Sequence, residues 1–299
     1  MMNVPMLRRK IQAVYCSVFR PDFRPALFAA GLGWVVLISA GCTNKKPFDS
    51  HMVIQIHSEP TTLDPIAVED GLGFRILSNL YRGLFQYDSR GELKPDLAER
   101  AVWSPDGKTL TVFLKKGPVW SDGAALKTDE ILFAFERAKN PKLAARFAPL
   151  LSELEKVEAL PEGGVRFHLT QSSQLFMHLL TLPMTYPLRR EWVDGSGHFK
   201  WRDAKTTLAF SAPYRLNQYA RDQYFDLEAW AEVPALAPRQ VRFQVIQDES
   251  TGTTLLKTGE LDVLSKVPLV EQNELRKTVT VMSYPFMATN FLAFKPDRQ

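Results

Sequence analysis

Cysteine is nearly absent from this sequence, and histidine is scarce. The two cysteines, Cys16 and Cys42, both precede residue 43, so the rest of the chain has no thiol with which to form a disulfide. The five histidines are scattered, and no cysteine and histidine have the spacing of metal ligands. We therefore expect a fold that depends on its core alone, with no metal and no cofactor.

The chain also has little net charge. The formal charge is +4, from 37 basic and 33 acidic residues. Residues 1–41 contain five of the basic residues and one of the acidic residues, which leaves 32 of each in the remainder. A neutral body argues against a nucleic-acid surface or a polybasic membrane patch. No nucleic-acid partner is expected.

The apolar run at residues 26–38 is too short to cross a bilayer. It has about 13 residues, whereas a spanning helix needs roughly 20. Basic Arg20 and Arg24 precede the run, and Ser39-Ala40-Gly41-Cys42 follows it. This order is typical of a secretory signal that ends in a lipoprotein cysteine. A membrane anchor or a buried helix is the alternative interpretation.

We therefore predict a signal peptide at residues 1–41, a lipid on Cys42 and a polar tether at residues 42–51. One position departs from the usual lipoprotein pattern, because Ser39 stands where such signals commonly have Leu. The expected location is the periplasm or the cell exterior, with the protein anchored to a membrane through Cys42.

Beyond the tether, strand patterns and helix patterns are mixed along the whole chain. Residues 52–56 and 109–114 have the alternation or β-branched content of strands. Residues 129–137 and 250–257 have the spacing of helices, and the apolar stretch 175–182 also reads as helical. The mixture predicts an α/β fold.

Short motifs follow one another in a fixed order through this region. Single motifs of this kind are weak evidence, but independent matches in one order multiply. The motifs are Glu59-Pro60-Thr61-Thr62-Leu63-Asp64-Pro65, Asn79-Leu80-Tyr81-Arg82-Gly83-Leu84, Leu93 to Glu99, Trp120-Ser121-Asp122-Gly123, Ser211 to Leu216, Asp248 to Asp262, and Asn290-Phe291-Leu292-Ala293-Phe294. The series resembles the family 5 extracellular solute-binding proteins, the oligopeptide and dipeptide receptors of ABC importers.

The resemblance implies a type II periplasmic binding protein fold with two lobes. On that plan lobe 1 comprises residues 52–73 and 184–268, with residues 74–183 inserted as an extra subdomain. Residues 269–299 would be only the start of lobe 2. Because family members are much longer, we expect a C-terminally truncated chain.

The resemblance also implies where a ligand would bind. One backbone edge of the family site corresponds to residues 68–73, so Glu69, Asp70, Gly71 and Leu72 are candidate ligand-binding residues. Phe147 corresponds to a family aromatic that reaches the ligand. An ordinary loop and simple core packing are the respective alternatives. The acid that fixes a peptide's amino terminus would lie beyond Gln299.

The function implied is peptide capture for an ABC importer, with permease subunits as partners and the receptor acting as a monomer and not as an enzyme. One alternative is a remnant that keeps lobe 1 but no longer captures ligand. Another is capture of a nickel chelate, haem, a sugar or an opine. A hydrolase using Ser172 or Ser173 with His168 or His178 has no motif in its favour.

Replacing Cys42 tests the lipoprotein prediction. The variant Cys42→Ser removes the thiol that would be acylated, so the protein should lose palmitate labelling and move from the membrane fraction to the soluble fraction. Cys16→Ser is the matched control and should change neither property. A Cys42→Ser protein that still carries the label would contradict the assignment.

Overall fold

The computed structural model describes residues 51–202, 208–235 and 237–282. The expected signal peptide, the lipidation site Cys42 and residues 42–50 of the tether lie outside the described residues. Residues 283–299, which contain the motif at 290–294, lie outside them as well. No helix within the described part is long and apolar enough to span a membrane.

Strands and helices are mixed along the described residues, as the sequence predicts. The strands are β1 (His51–Ile56), β2 (Phe85–Tyr87), β3 (Leu93–Pro95), β4 (Ala98–Trp103), β5 (Thr109–Leu114), β6 (Leu154–Ala159), β7 (Gly164–Leu169), β8 (Tyr214–Ala220), β9 (Tyr224–Ala229) and β10 (Gln240–Val245). The helices are α1 (Gly71–Leu80), α2 (Thr128–Lys139), α3 (Phe176–Leu179), α4 (Glu249–Thr258) and α5 (Gln272–Thr278).

The first sheet joins segments that are distant in sequence. Its strand order is β1-β10-β9-β8, with β1 parallel to β10 and the other pairs antiparallel. Alternate residues face the core, so Phe225, Leu227, Val241 and Phe243 are buried. This sheet brings residues near 50 beside residues near 240, and β8 contacts α1.

The second sheet is made from one continuous part of the chain. Its order is β4-β5-β7-β6 with every pair antiparallel, and β2 pairs with β3 in a separate two-stranded sheet. Helix α2 covers the four-stranded sheet, with the rings of Phe135 and Phe167 5.1 Å apart and edge to face.

A buried ion pair connects α2 to the loop after β1. Arg137 donates to both carboxylate oxygens of Asp64, at 3.1 and 2.8 Å, and the two side chains are only 3% and 7% exposed. The backbone N–H groups of Ile66 and Phe199 also donate to Asp64. Arg137 donates in addition to the carbonyl of Gly197 at 2.7 Å. One carboxylate thus joins three segments of the chain.

Helix α2 begins one residue before the predicted range, and one predicted helix is much shorter than expected. Lys127 precedes the first turn of α2, and its backbone N–H donates to the Glu130 carboxylate at 2.7 Å. The apolar stretch 175–182 forms only the single turn α3, which ends before Pro183.

Helix α1 ends against the segment that begins at Ser211. The backbone N–H groups of Ser211 and Ala212 both donate to the Leu80 carbonyl at 3.1 Å. The resembled family commonly has glycine at the position of Ala212. Within the described residues only Ala144 and Asp222 combine a side chain with positive φ, so Ala212 adopts a conformation that needs no glycine.

Removing one partner of the buried pair should strongly destabilise the fold. The variant Arg137→Met leaves the Asp64 carboxylate buried without its counter-charge, at an expected cost of about 3 to 5 kcal/mol in the free energy of unfolding. Urea unfolding followed by circular dichroism measures the change. The matched control is Arg190→Met, because Arg190 pairs with Glu136 at the surface. That change should cost about 0 to 1 kcal/mol. Equal stability of the two variants would contradict the prediction.

Candidate functional site

The loop between β1 and α1 is fixed at its start by Glu59. The Glu59 carboxylate accepts from the Tyr219 hydroxyl at 2.5 Å, the Asp222 backbone N–H at 2.8 Å and Arg202 at 2.6 Å. Burial raises the pKa of Glu59, but these three donors outweigh it and hold the pKa below its usual range. Burial and the neighbouring carboxylate raise the pKa of Tyr219 to about 12.

The same loop ends in the cap of α1. The Asp70 side chain accepts from the Gly73 backbone N–H at 2.7 Å, and Thr61 donates to its other oxygen at 3.3 Å. Asp70 was expected as a ligand-binding residue. Its carboxylate is already engaged in starting the helix, which is a structural role.

The two glycines at this end of α1 have different surroundings. A Cβ placed on Gly73 would lie 2.2 Å from Cγ2 of Val68, whereas a Cβ on Gly71 would meet no atom within 4 Å. Gly73 is therefore required by packing within the chain. Gly71 is exposed and faces open space, so a ligand backbone can approach there.

The structure brings the remaining candidates into one neighbourhood. Glu69 pairs with Arg146 at 3.3 Å, and both side chains are at least half exposed. The next residue, Phe147, packs its ring 5.9 Å from that of Phe74 in α1. Phe147 and Leu72 are half-buried and contact the core. Both therefore have packing roles, which leaves part of each surface available to a ligand.

Two hollows meet at α1. The first has a volume of about 550 Å³ and includes Gly71, Phe74, Arg75, Ser78 and Tyr87 in its wall. The second has a volume of about 740 Å³ and is formed by Arg75, residues 262–267 and parts of α5 with the residues after it. Arg75 lines both hollows. Sequence reasoning missed it, although the spacing of exposed Gly71, Arg75 and Ser78 marks the polar face of α1.

No cluster of three or more His, Cys, Asp or Glu side chains in the described ranges could hold a metal ion. What the arrangement offers instead is an exposed helix start, a pair of rings and several exposed charges beside open space. Such a surface suits the binding of a solute.

Solved structures define the class of protein. The chain resembles a periplasmic oligopeptide-binding protein of Borrelia burgdorferi with a TM-score of 0.69 and 22% identity, covering 76% of this chain and 49% of that one. It resembles Haemophilus influenzae OppA, solved with the peptide RPPGFSPFR, with a TM-score of 0.66 and 26% identity, covering 77% of this chain and 48% of that one. The fold is that of the periplasmic binding proteins.

The chain belongs to the bacterial extracellular solute-binding proteins of family 5, whose middle-region model matches residues 92–299. A dipeptide-binding protein of Lactococcus lactis is 27% identical over 285 residues, covering 84% of this chain and 50% of the relative. The glutathione-binding protein GsiB of Escherichia coli is 24% identical over 279 residues, covering 92% and 53%. The chain thus spans about half the length of these relatives.

A pair of glycine substitutions tests which glycine at the start of α1 is required by packing. We expect Gly73→Ala to lower the free energy of unfolding by about 1 to 3 kcal/mol, because its methyl group would overlap Val68. Gly71→Ala has room and should change it by less than about 0.5 kcal/mol. Thermal unfolding of both variants measures the difference. A tolerated Gly73→Ala would show that Val68 can move away.

Proposed function

We propose that this chain is the substrate-binding component of an ABC importer, which captures peptides outside the inner membrane and delivers them to permease subunits. The observation that carries the proposal is the family 5 match over residues 92–299. The names of the dipeptide-binding and glutathione-binding relatives support a peptide as the solute. The role is capture, not catalysis.

The ligand backbone binds along the start of α1. A receptor for many sequences gains affinity from main-chain hydrogen bonds and leaves side chains in roomy pockets. Gly71 supports this mode because nothing within 4 Å fills the space beside its Cα. The neighbouring main chain of Glu69 and Leu72 supplies donors and acceptors at the same edge.

The side chains of Glu69 and Phe147 also contact the ligand. The exposed pair of Glu69 with Arg146 is worth little in water, so a ligand amine or amide can replace the arginine at small cost. The exposed part of the Phe147 ring offers an apolar surface to a ligand side chain.

Two lobes are proposed from the sheets. The shared sheet of β1, β8, β9 and β10 supports assigning residues 52–73 and 184–268 to lobe 1. The continuous sheet β4-β5-β7-β6 supports an extra subdomain within residues 74–183. A second lobe, which begins at residues 269–299, closes over the ligand.

The proposal includes a place in the cell. The family name describes extracellular proteins, and the N-terminal pattern supports a lipid anchor at Cys42 in the periplasm or at the cell exterior. The receptor acts as a monomer that meets the permease subunits when loaded.

Ligand-dependent unfolding tests the proposal. The purified full chain, kept in mild detergent because its N-terminal segment is apolar, is heated alone and with a library of di- to pentapeptides. Binding to the folded state alone raises its stability by about 2.7 kcal/mol when free peptide is at about one hundred times the Kd. We expect a higher Tm with peptide. An unchanged Tm across the library, and a rise with a nickel chelate, haem, a sugar or an opine, would assign another solute.

Two substitutions locate the binding edge. Glu69→Gln removes a charged acceptor and should weaken peptide binding about tenfold, and Phe147→Ala should weaken it by a similar factor. Glu136→Gln is the matched control, because Glu136 also pairs with an exposed arginine but lies in α2 and not in the loop before α1. Unchanged affinity in the first two variants, with binding intact in the wild type, would move the site elsewhere.

A further inference from the structure

We propose that the guanidinium of Arg75 binds a carboxylate of the captured ligand. The inference rests on the proposed function, because it names the chemical group by which the solute is held at α1. It makes Arg75 a specificity-determining residue, with acidic or free-acid peptides as the preferred ligands.

Arg75 lies beside the place where the ligand backbone is proposed to bind. It lies one turn after Gly71 on the exposed face of α1, and it lines both the 550 Å³ and the 740 Å³ hollows. A ligand backbone that runs past Gly71 therefore passes within reach of this side chain. The i, i+4 spacing places the two residues on one face of the helix.

Arg75 also differs from its charged neighbours in having no ion-pair partner among the described residues. The other charged side chains that line the two hollows are engaged: Asp96 accepts from Arg82 at 2.6 Å, Asp262 accepts from the Val53 backbone at 2.7 Å, and Lys266 pairs with Glu249. Among the described residues, the Arg75 guanidinium has no hydrogen bond and no ion pair. Of the charged side chains that line the two hollows, Arg75 is therefore the one available to pair with a ligand.

The acids that precede α1 do not neutralise Arg75. The Glu69 carboxylate faces Arg146, and the Asp70 carboxylate faces the Gly73 backbone and Thr61. An arginine presents two parallel N–H donors, which match the two oxygens of a carboxylate. A carboxylate that enters the hollow beside α1 therefore finds a free bidentate partner.

The carboxylate could come from the C-terminus of a peptide or from an acidic side chain. Three peptide libraries of two to five residues distinguish these sources: free-acid peptides without Asp or Glu, the same peptides as C-terminal amides, and amidated peptides that contain one glutamate. Binding of each library to the purified full chain in mild detergent is measured by thermal shift and by isothermal titration.

We expect the wild type to prefer one carboxylate-bearing library over the neutral amides by about tenfold. Arg75→Gln should abolish this preference, and Arg75→Lys should retain part of it because the charge remains. The matched control is Arg276→Gln, which removes another exposed helical arginine that lines neither hollow. It should leave the preference unchanged. A preference for free acids assigns the C-terminal carboxylate, and a preference for the glutamate peptides assigns the side chain.

Two other outcomes would contradict the inference. One of them rejects only the role of Arg75, and the other also rejects peptide capture. If the wild type binds neutral amides as tightly as both carboxylate libraries, or if Arg75→Gln keeps the preference, peptide capture stands and the role of Arg75 is rejected. If no library binds, the proposed function fails and the inference fails with it.

Discussion

The buried pair of Asp64 and Arg137 is the constraint on which the placement of the site depends. Asp64 sits in the loop that leads from β1 to α1, and Arg137 sits in the last turn of α2. Bringing both charges out of water is costly, and the cost is offset only because the carboxylate has four donors, from Arg137 and two backbone N–H groups. Within the described part of the chain, Arg137 Nε is buried without a hydrogen-bond partner, which adds to that cost. Such a group tolerates few arrangements, and it therefore holds the loop that leads to α1 against α2 and the segment at Phe199.

Regular elements could be predicted from the sequence because their signals are local. The alternation of Leu110, Val112 and Leu114 predicts β5, and the structure has a strand at Thr109–Leu114. The apolar spacing at residues 129–137 predicts α2, which spans Thr128–Lys139. The shortened α3 shows the limit of periodicity, because apolar residues at helical spacing also occur in irregular buried segments. The partner of Asp64 could not be predicted, since 73 residues separate it from Arg137.

The candidate site shows the same division between local and distant information. Asp70 and Asp248 each accept a hydrogen bond from the backbone N–H three residues later, and each starts a helix. That local capping pattern is enough to predict from the sequence that Asp70 caps α1. The difference between Gly71 and Gly73 has no such signal, because it depends on the Val68 side chain. The sequence likewise could not predict that the Arg75 guanidinium has no ion-pair partner among the described residues, since this depends on which acids pair with other groups.

Rigid and exchangeable charges are separated in this molecule, and the separation suits a receptor. Asp64 and Arg137 are almost fully buried, so their pairing is effectively permanent. Glu69 and Arg146 are at least half exposed, so water competes with their pairing and a ligand can displace it at little cost. A group that is weakly paired in water gains strength when another surface covers it, because the effective dielectric constant falls. Under the proposed function, these weakly paired charges on a rigid base stay adaptable until a ligand and a second lobe cover them. The electrostatic gain would then be realised only on closure, which would couple capture to closure.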